Sequence, residues 1–508
     1  MYSIIFKNEY KLNNNECSFF KDLNLNAIID AITRQVKDED LKPIFYTLLN
    51  NDEDINYRLD VFKDLKNEDL RVALASFANK MSHIIKEHRK LTSIEKANYA
   101  DKAILLDLIA DYIEIVNKLN NDLKNLAYDA FAIKELHKYI SDLIEGNFFK
   151  SMEADLKNIY ENVGKIDFNL FLNEGFIYVL KPSFTETDFS LEINDLLKPL
   201  IDEEEPINIK KQNKSLSIGI KKSMLKIISD MYPDTFKIID SFFNNYFNFI
   251  DEALMNFPRE FFFYTAYLNF MDRIKNLGLN FCIPMVSTTN KEYEVNDCYD
   301  IALAYSFLYT DRQMVLNSFY LRDEERTIVI SGPNQGGKTT FARMFGQLNY
   351  LATIGVPVPG TKAKLFAPDM IYTHFEVEEN VIKASGKLNL ELERLYEITT
   401  NMTSRSVIIL NEIFSSTSIA DGIVLGKKFL DSLLEVDAIC VFVTFLDELS
   451  KYNKTIVSMV STVIPSSPEL RTLKIIREES NGLAYAMAIA KKYSLDYLDI
   501  KRRINHED

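Results

Sequence analysis

Apolar residues in the first 165 positions recur three and four apart, as in Leu105, Leu108, Ile109, Tyr112, Ile113 and Val116, and few glycines or prolines interrupt them. That spacing places them on one face of a helix, so this stretch is predicted to be mostly helical. Between about Phe168 and Ile220 the pattern shortens. The runs FIYVLKPSF, FSLEI, INIKK and SLSIGI are β-prone and separated by Pro, Asn and Asp, which predicts a small strand-containing insert. Helical spacing returns from Met224 to about Leu277, with breaks expected at Pro233 and Pro258; the aromatics of FFFYTAYLNF fall at helical spacing and read as core. After about Asp300, the runs TIVIS, SVIIL, ICVFVT, TIVSMV and LKIIRE are short and rich in β-branched residues, and several alternate with helical segments. A largely parallel sheet covered by helices follows. The expected segments are a helical part over 1–165, a strand-rich insert over 166–222, returning helices over 223–300 and an α/β part over 301–508. The fold class is therefore α/β plus all-α.

Composition narrows this picture little. A chain of 508 residues, 47% hydrophobic and 26% charged, has the make-up of a soluble globular protein of about three domains. No apolar run approaches the roughly 18 residues that span a bilayer, and MYSIIFKNEYKLNN lacks the features of a secretory signal, so no membrane role and a cytoplasmic location are expected. Cys17, Cys282, Cys298 and Cys440 show no metal-ligand spacing and read as reduced core thiols; His83 and His88, five apart, do not share a helical face as two ligands would. The net charge of −15 argues against a broadly basic coat for nucleic acid but leaves room for a local stripe. The candidate stripe follows the acidic run Asp202–Glu205: Lys210, Lys211, Lys214, Lys221 and Lys222 are either a solvated face or a tip that touches DNA phosphates.

Chemistry concentrates in two stretches. SGPNQGGKTTF matches the phosphate-binding loop at Gly332, Gly337, Lys338 and Thr339, and it lies between a predicted strand and a predicted helix. Its glycines let backbone N–H groups close round an anion at a helix N-terminus, so Gly332, Pro333, Asn334, Gln335, Gly336, Gly337, Lys338, Thr339 and Thr340 are the nucleotide-binding candidates. Lys338 is expected to reach the β- and γ-phosphates of ATP, and the Thr339 hydroxyl to ligate Mg²⁺. The second stretch, VIILNEIFSSTS, ends a predicted buried strand with Asn411 and Glu412. Glu412 is the candidate catalytic residue that polarises the attacking water, and Asn411 offers the metal a neutral oxygen where a carboxylate is usual.

These stretches resemble the MutS mismatch-repair ATPases. GPNQGGKTTF is similar to their GPNMGGKST, NEIFSSTSIADG to DEIGRGTSTxDG, and SGKLNLELERL to SGRSTFxxEM. IGVPVPG, GLAYAMAIAKKYSL and the segment around Arg58 extend the likeness. The resemblance implies an ABC-type P-loop ATPase domain at the C-terminus, preceded by a helical core and lever domain with a reduced clamp-like insert. It implies a homodimer paired through the ATPase heads, with Ser385 and Asn389 reaching the phosphates of the opposite subunit. It also implies a chain that begins near the family's helical core, without the mismatch-reading domain, so that any DNA contact is to backbone or shape.

Departures from the family pattern accompany the likeness. Phe445 stands where the family's TH-x-x-EL has histidine, Leu388 where a serine would reach across the dimer, Met314 where an aromatic would stack on adenine, and Phe414, Ser415 and Ser416 where glycines and an arginine are expected. The leading expectation is an ATP-dependent dimeric switch acting on DNA, with slow hydrolysis. The alternative is a nucleotide-binding module that regulates a protein partner. A transport ATPase is disfavoured, because no LSGGQ-type signature occurs.

Overall fold

The computed structural model describes residues 2–8, 10–36, 38–94, 96–173, 176–182, 218–375, 386–464, 467–480, 493–495 and 497–505. The chain forms two compact units, Asp69–Ala127 with Glu135–Pro258, and Met1–Glu68 with Tyr128–Lys134 and Arg259–Asp508.

The first unit is built mainly from the long helices Glu68–Thr92, Tyr99–Asn125, Phe131–Glu145, Asn147–Val163, Ile218–Met231 and Pro233–Tyr246. Their starts follow local chemistry. Asn98 and Asp101 form a reciprocal capping box at Tyr99–Asn125, and Pro233 opens its helix at a position where the missing N–H costs nothing. The predicted face of Leu105, Leu108, Ile109, Tyr112, Ile113 and Val116 is buried. Two antiparallel strands, β1 (Asn169–Asn173) and β2 (Phe176–Leu180), fall in the expected insert. Ile218–Ile220, read in the sequence as the end of a strand, instead begin the helix Ile218–Met231, whose apolar residues Leu225 and Ile228 continue at helical spacing. Nor does Pro258 break the chain: it lies inside the helix Glu252–Lys275, with Leu254, Phe257 and Phe261 buried on either side of it. Packing of that apolar face outweighs the one backbone hydrogen bond that proline removes.

In the second unit, small sheets are formed by β3 (Phe281–Cys282), β4 (Met285–Ser287), β5 (Tyr293–Cys298), β6 (Asn317–Leu321), β8 (Val358–Pro359) and β9 (Lys362–Phe366), paired as β3-β8 and β4-β9-β5-β6. The main sheet adds β7 (Thr327–Ser331), β10 (Ile371–His374), β11 (Val407–Asn411), β12 (Ile439–Val443), β13 (Ile456–Ile464) and β14 (Ser467–Arg477), in the order β10-β11-β12-β7-β13-β14. All neighbours are parallel except β13 and β14. Strands β7, β11 and β12 are buried at every residue, which is why they read as unbroken apolar runs rather than alternating ones.

The helix Lys338–Thr353 packs so closely on this sheet that a Cβ at Gly346 would lie 2.5 Å from Ile409 Cδ1. Residues from the first 68 positions hold its far end. Arg58, fully buried, donates through Nε to Ile5 O and through Nη1 to Ile354 O, both at 2.9 Å. Burial lowers the Arg58 pKa to about 10, and Phe6 and Phe263 cover its guanidinium. The four cysteines are free, with Cys298 and Cys440 buried, and no described helix is long and apolar enough to cross a membrane.

Candidate functional site

Strand β7 ends at Ser331, residues 332–337 turn, and the helix begins at Lys338. The turn needs left-handed backbone at Gly332 (φ 113°), Gln335 (φ 59°) and Gly337 (φ 90°). Space matters as much as φ. A Cβ on Gly336 would stand 2.0 Å from Ser461 Oγ and 2.9 Å from Pro333 O. Ser461, on β13, donates its hydroxyl to Gly336 O at 2.7 Å, so the neighbouring strand fastens the loop by a carbonyl. The first N–H groups of the helix have no intrahelical acceptor by construction, and with the helix dipole they form an anion-binding corner.

Lys338 is 4% exposed. Its ammonium donates to Gly332 O (2.9 Å), Pro333 O (3.2 Å) and Asn334 Oδ1 (3.1 Å), and it lies 3.6 Å from a Glu412 carboxylate oxygen. Burial pulls its pKa below the usual lysine value, and the Glu412 charge opposes that shift.

Glu412 follows β11. Its N–H donates to Val443 O at 2.9 Å, and its backbone is left-handed (φ 56°), as is that of Phe414 (φ 63°). The Phe414 N–H donates to the buried Glu391 carboxylate at 3.0 Å, while the Phe414 ring packs in the core with Ile413 and Leu446. Asn411 is buried, and its Oδ1 meets no hydrogen-bond donor; Ser331 Oγ, at the end of β7, is in the same state.

The structure thus gathers Gly332 to Thr340, Asn411 and Glu412 at the carboxyl ends of β7 and β11. Met314 lines a cleft with Gly337, Thr340, Phe341 and Leu473, beside the start of the helix. Phe445, 46% exposed, follows β12 by two residues. Leu388, half-buried, packs against the core, and Asn389 Nδ2 donates to Glu393 on its own helix at 2.7 Å. Ser385, Lys210, Lys211 and Lys214 lie outside the described residues; Lys221 and Lys222 fall within the helix Ile218–Met231. Three residues of this neighbourhood escaped the sequence reading: Ser461, Glu391 and Arg471, whose Nε donates to Asn334 O at 3.2 Å. No motif marks Ser461 or Arg471, and Glu391 sits within SGKLNLELERL at a position its likeness leaves unspecified; each arrives from an element distant in the chain.

These residues can hold a magnesium-bound nucleotide. The buried, undonated Asn411 Oδ1 and the Thr339 hydroxyl are hard neutral oxygens of the kind magnesium takes, and the left-handed Gly332 and Gly337 allow the tight turn that presents backbone N–H groups at the helix start.

Comparison with known proteins agrees with this geometry. Residues 328–501 match the family model of MutS domain V. Over 183 residues the chain is 27% identical to the DNA mismatch repair protein MutS of Thermotoga maritima, covering 35% of this chain and 23% of that protein. Over 184 residues it is 28% identical to Endonuclease MutS2 of Gemmatimonas aurantiaca, covering 35% and 22%. Over 130 residues it is 32% identical to the DNA mismatch repair protein MSH3 of Phaeosphaeria nodorum, covering 25% and 12%. Each match spans less than a quarter of the relative's length. The matched segment, residues 328–501, contains all of β7 but Thr327, residues 332–340, Asn411 and Glu412, so the part of the chain that carries the site is similar to MutS domain V.

Proposed function

We propose that this chain is an ATP-binding, DNA-associated switch of the MutS type, with an ABC-type P-loop domain that pairs with a second copy and hydrolyses ATP slowly. The observation that carries the reading is the 3.6 Å approach of the Lys338 ammonium to the Glu412 carboxylate at the ends of two buried parallel strands, which supports roles for them in phosphate binding and water activation. Residues 332–340 bind the phosphates through backbone N–H groups, and Lys338 adds a full positive charge. Glu412 orients the attacking water and takes up its proton. Magnesium, held by Thr339 and Asn411, would supply charge neutralisation on the transferred phosphoryl group.

Two features favour slow turnover. Asn411 brings no charge to the metal, and Phe445 brings no proton or hydrogen bond where the family places histidine. Losing one aimed group from a phosphoryl-transfer site costs on the order of 10²-fold in rate. Action on DNA rests on the family and on the names of the relatives, which include two mismatch-repair proteins. The helical unit and the insert over 166–222 are proposed as the arm that carries ATP-driven closure to DNA backbone, and Ser385 and Asn389 as contacts to the partner copy's nucleotide.

Calorimetric titration of the full chain with ATP and Mg²⁺ tests the core of this. The wild type is expected to bind, Lys338→Met to weaken binding at least about tenfold, and Glu412→Gln to lower steady-state hydrolysis by about 10²-fold while keeping affinity. A wild type that does not bind ATP ends the proposal. A salt series of duplex and branched DNA binding, with Lys210, Lys211, Lys214, Lys221 and Lys222 neutralised, tests the arm; absence of binding would shift the reading to regulation of a protein partner.

A further inference from the structure

Arg471 lies where no motif calls for a cation. Its strand, β14, is irregular in pairing: β13 advances two residues from Ser461 to Val463, while their partners on β14, Ile475 and Arg471, are four apart. The extra residues form a bulge in which Leu473 takes left-handed backbone (φ 60°) and packs on Gly337, its carbonyl oxygen 3.4 Å from the position of a Cβ there. Bulges re-aim side chains, and this one is locked. Thr472 Oγ1 donates to Thr462 O at 3.0 Å, and the Lys474 ammonium donates to Leu316 O. The outcome is a hairpin seated along the phosphate loop at successive points: Arg471 on Asn334, Ser461 on Gly336, Leu473 on Gly337.

Fastening a carbonyl does not require a charge, since the Ser461 hydroxyl does the same at Gly336 O. The Lys338 ammonium is buried and donates to the same residue through Asn334 Oδ1, so Asn334 meets two cations, one at its side chain and one at its carbonyl. Glu412 is the carboxylate in contact with Lys338, and the neighbouring Asn411 adds no negative charge. Arg471 sets its guanidinium against the loop at Asn334, and the planar guanidinium fork matches phosphate oxygens. In this site Asn411 offers the metal no charge, while Arg471 offers phosphate one directly.

We propose that Arg471 is a second phosphate-binding cation of this site, acting on a nucleotide bound to its own chain, and that it lets the site hold ATP with reduced reliance on magnesium. The inference rests on the ATP-binding reading and adds a residue and a metal dependence to it. Arg471 binds substrate in this scheme; it has no part in proton transfer.

The experiment is calorimetric titration of the full chain with ATP and ADP, once in Mg²⁺ and once in EDTA, for the wild type, Arg471→Gln and Arg471→Lys. Glutamine retains an N–H donor for Asn334 O without the charge; lysine retains the charge without the fork. Wild-type affinity for ATP is expected to fall by less than about tenfold when magnesium is removed. Arg471→Gln is expected to lose about tenfold in Mg²⁺ and distinctly more in EDTA, with a smaller loss for ADP, and Arg471→Lys to keep more affinity than glutamine in EDTA. Thermal unfolding of each variant checks that the hairpin remains seated. The inference is overturned if Arg471→Gln binds ATP as the wild type does, or if it loses the same factor in both media, the mark of a residue that only holds the loop. A wild type that binds no ATP overturns the ATP-binding reading as well, whereas normal wild-type binding with an indifferent Arg471 removes this inference alone.

Discussion

The two turns that make the site, residues 332–337 after β7 and residues 412–416 after β11, both need left-handed backbone, and they obtain it in opposite ways. In the phosphate loop, two of the three left-handed positions are glycine, Gly332 and Gly337, and the intervening Gly336 has no space for a Cβ. In the acidic turn, the left-handed positions are Glu412 and Phe414, neither a glycine. A non-glycine residue in that region costs roughly 1–2 kcal/mol. The acidic turn withstands this because it is held from outside: Val443 O accepts from Glu412, Glu391 from Phe414, and the Phe414 ring is buried in the core. The phosphate loop is shaped by what cannot be present, the acidic turn by what grips it. A loop of the first kind tolerates little change in sequence, while one of the second kind can drift. Among the departures from the family pattern, Phe414, Ser415 and Ser416 fall in the acidic turn, and none replaces a glycine of residues 332–337.

The largest effect is expected at the loop that depends on empty space. Gly336→Ala drives a methyl into Ser461 Oγ and against Pro333 O, and should cost about 3 kcal/mol and most ATP affinity, read by denaturant unfolding and titration. Adding Ser461→Ala removes the closest clash but leaves the one with Pro333 O, so the double variant should recover part of the stability and little of the affinity. Full recovery of both would mean that the serine, not the space, shapes the loop.

The gripped turn should respond differently. Phe414→Gly relieves strained backbone yet removes a buried ring, a loss of roughly 3–5 kcal/mol set against a gain of 1–2, so a net cost of about 2 kcal/mol is expected. ATP binding should survive, because the Phe414 ring packs in the core with Ile413 and Leu446. Were Phe414→Gly more stable than the wild type, strain would dominate the turn and the contrast between the two loops would fail.

What the sequence disclosed follows the same division. Gly332, Gly337, Lys338 and Thr339 are legible because the geometry they serve is local, so the constraint is written into adjacent residues. Buried strands β7, β11 and β12 are legible because burial on both faces leaves only apolar choices. Glu391, Ser461 and Arg471 are not, because each reaches the site from a remote element, and nothing local marks Glu391 as a buried acceptor or Leu473 as the pivot of a bulge. The helix through Pro258 and the helical start at Ile218 were misread for a related reason: local propensity points one way, and packing against distant residues decides the other. Likewise, the helical texture of residues 1–68 does not reveal that Arg58 holds the end of the helix that begins at the phosphate loop.

The smallest effect on stability, and the sharpest on chemistry, is expected from Asn411→Asp. The side chain is buried at the end of β11 with an oxygen that meets no donor, so the new carboxylate enters a place with little solvation of its own. Without metal it should cost about 1 kcal/mol, because a buried carboxylate loses solvation. With Mg²⁺ and ATP that cost should vanish, since a hard dication prefers an anionic oxygen. Thermal unfolding with and without Mg²⁺ and ATP reads the first half of this, and steady-state hydrolysis, expected to rise, reads the second. If the variant is equally stable in all conditions and hydrolyses no faster, the metal does not meet position 411. The drift in the acidic turn would then have left the chemistry untouched, and the proposal of slow turnover would rest on Phe445 alone.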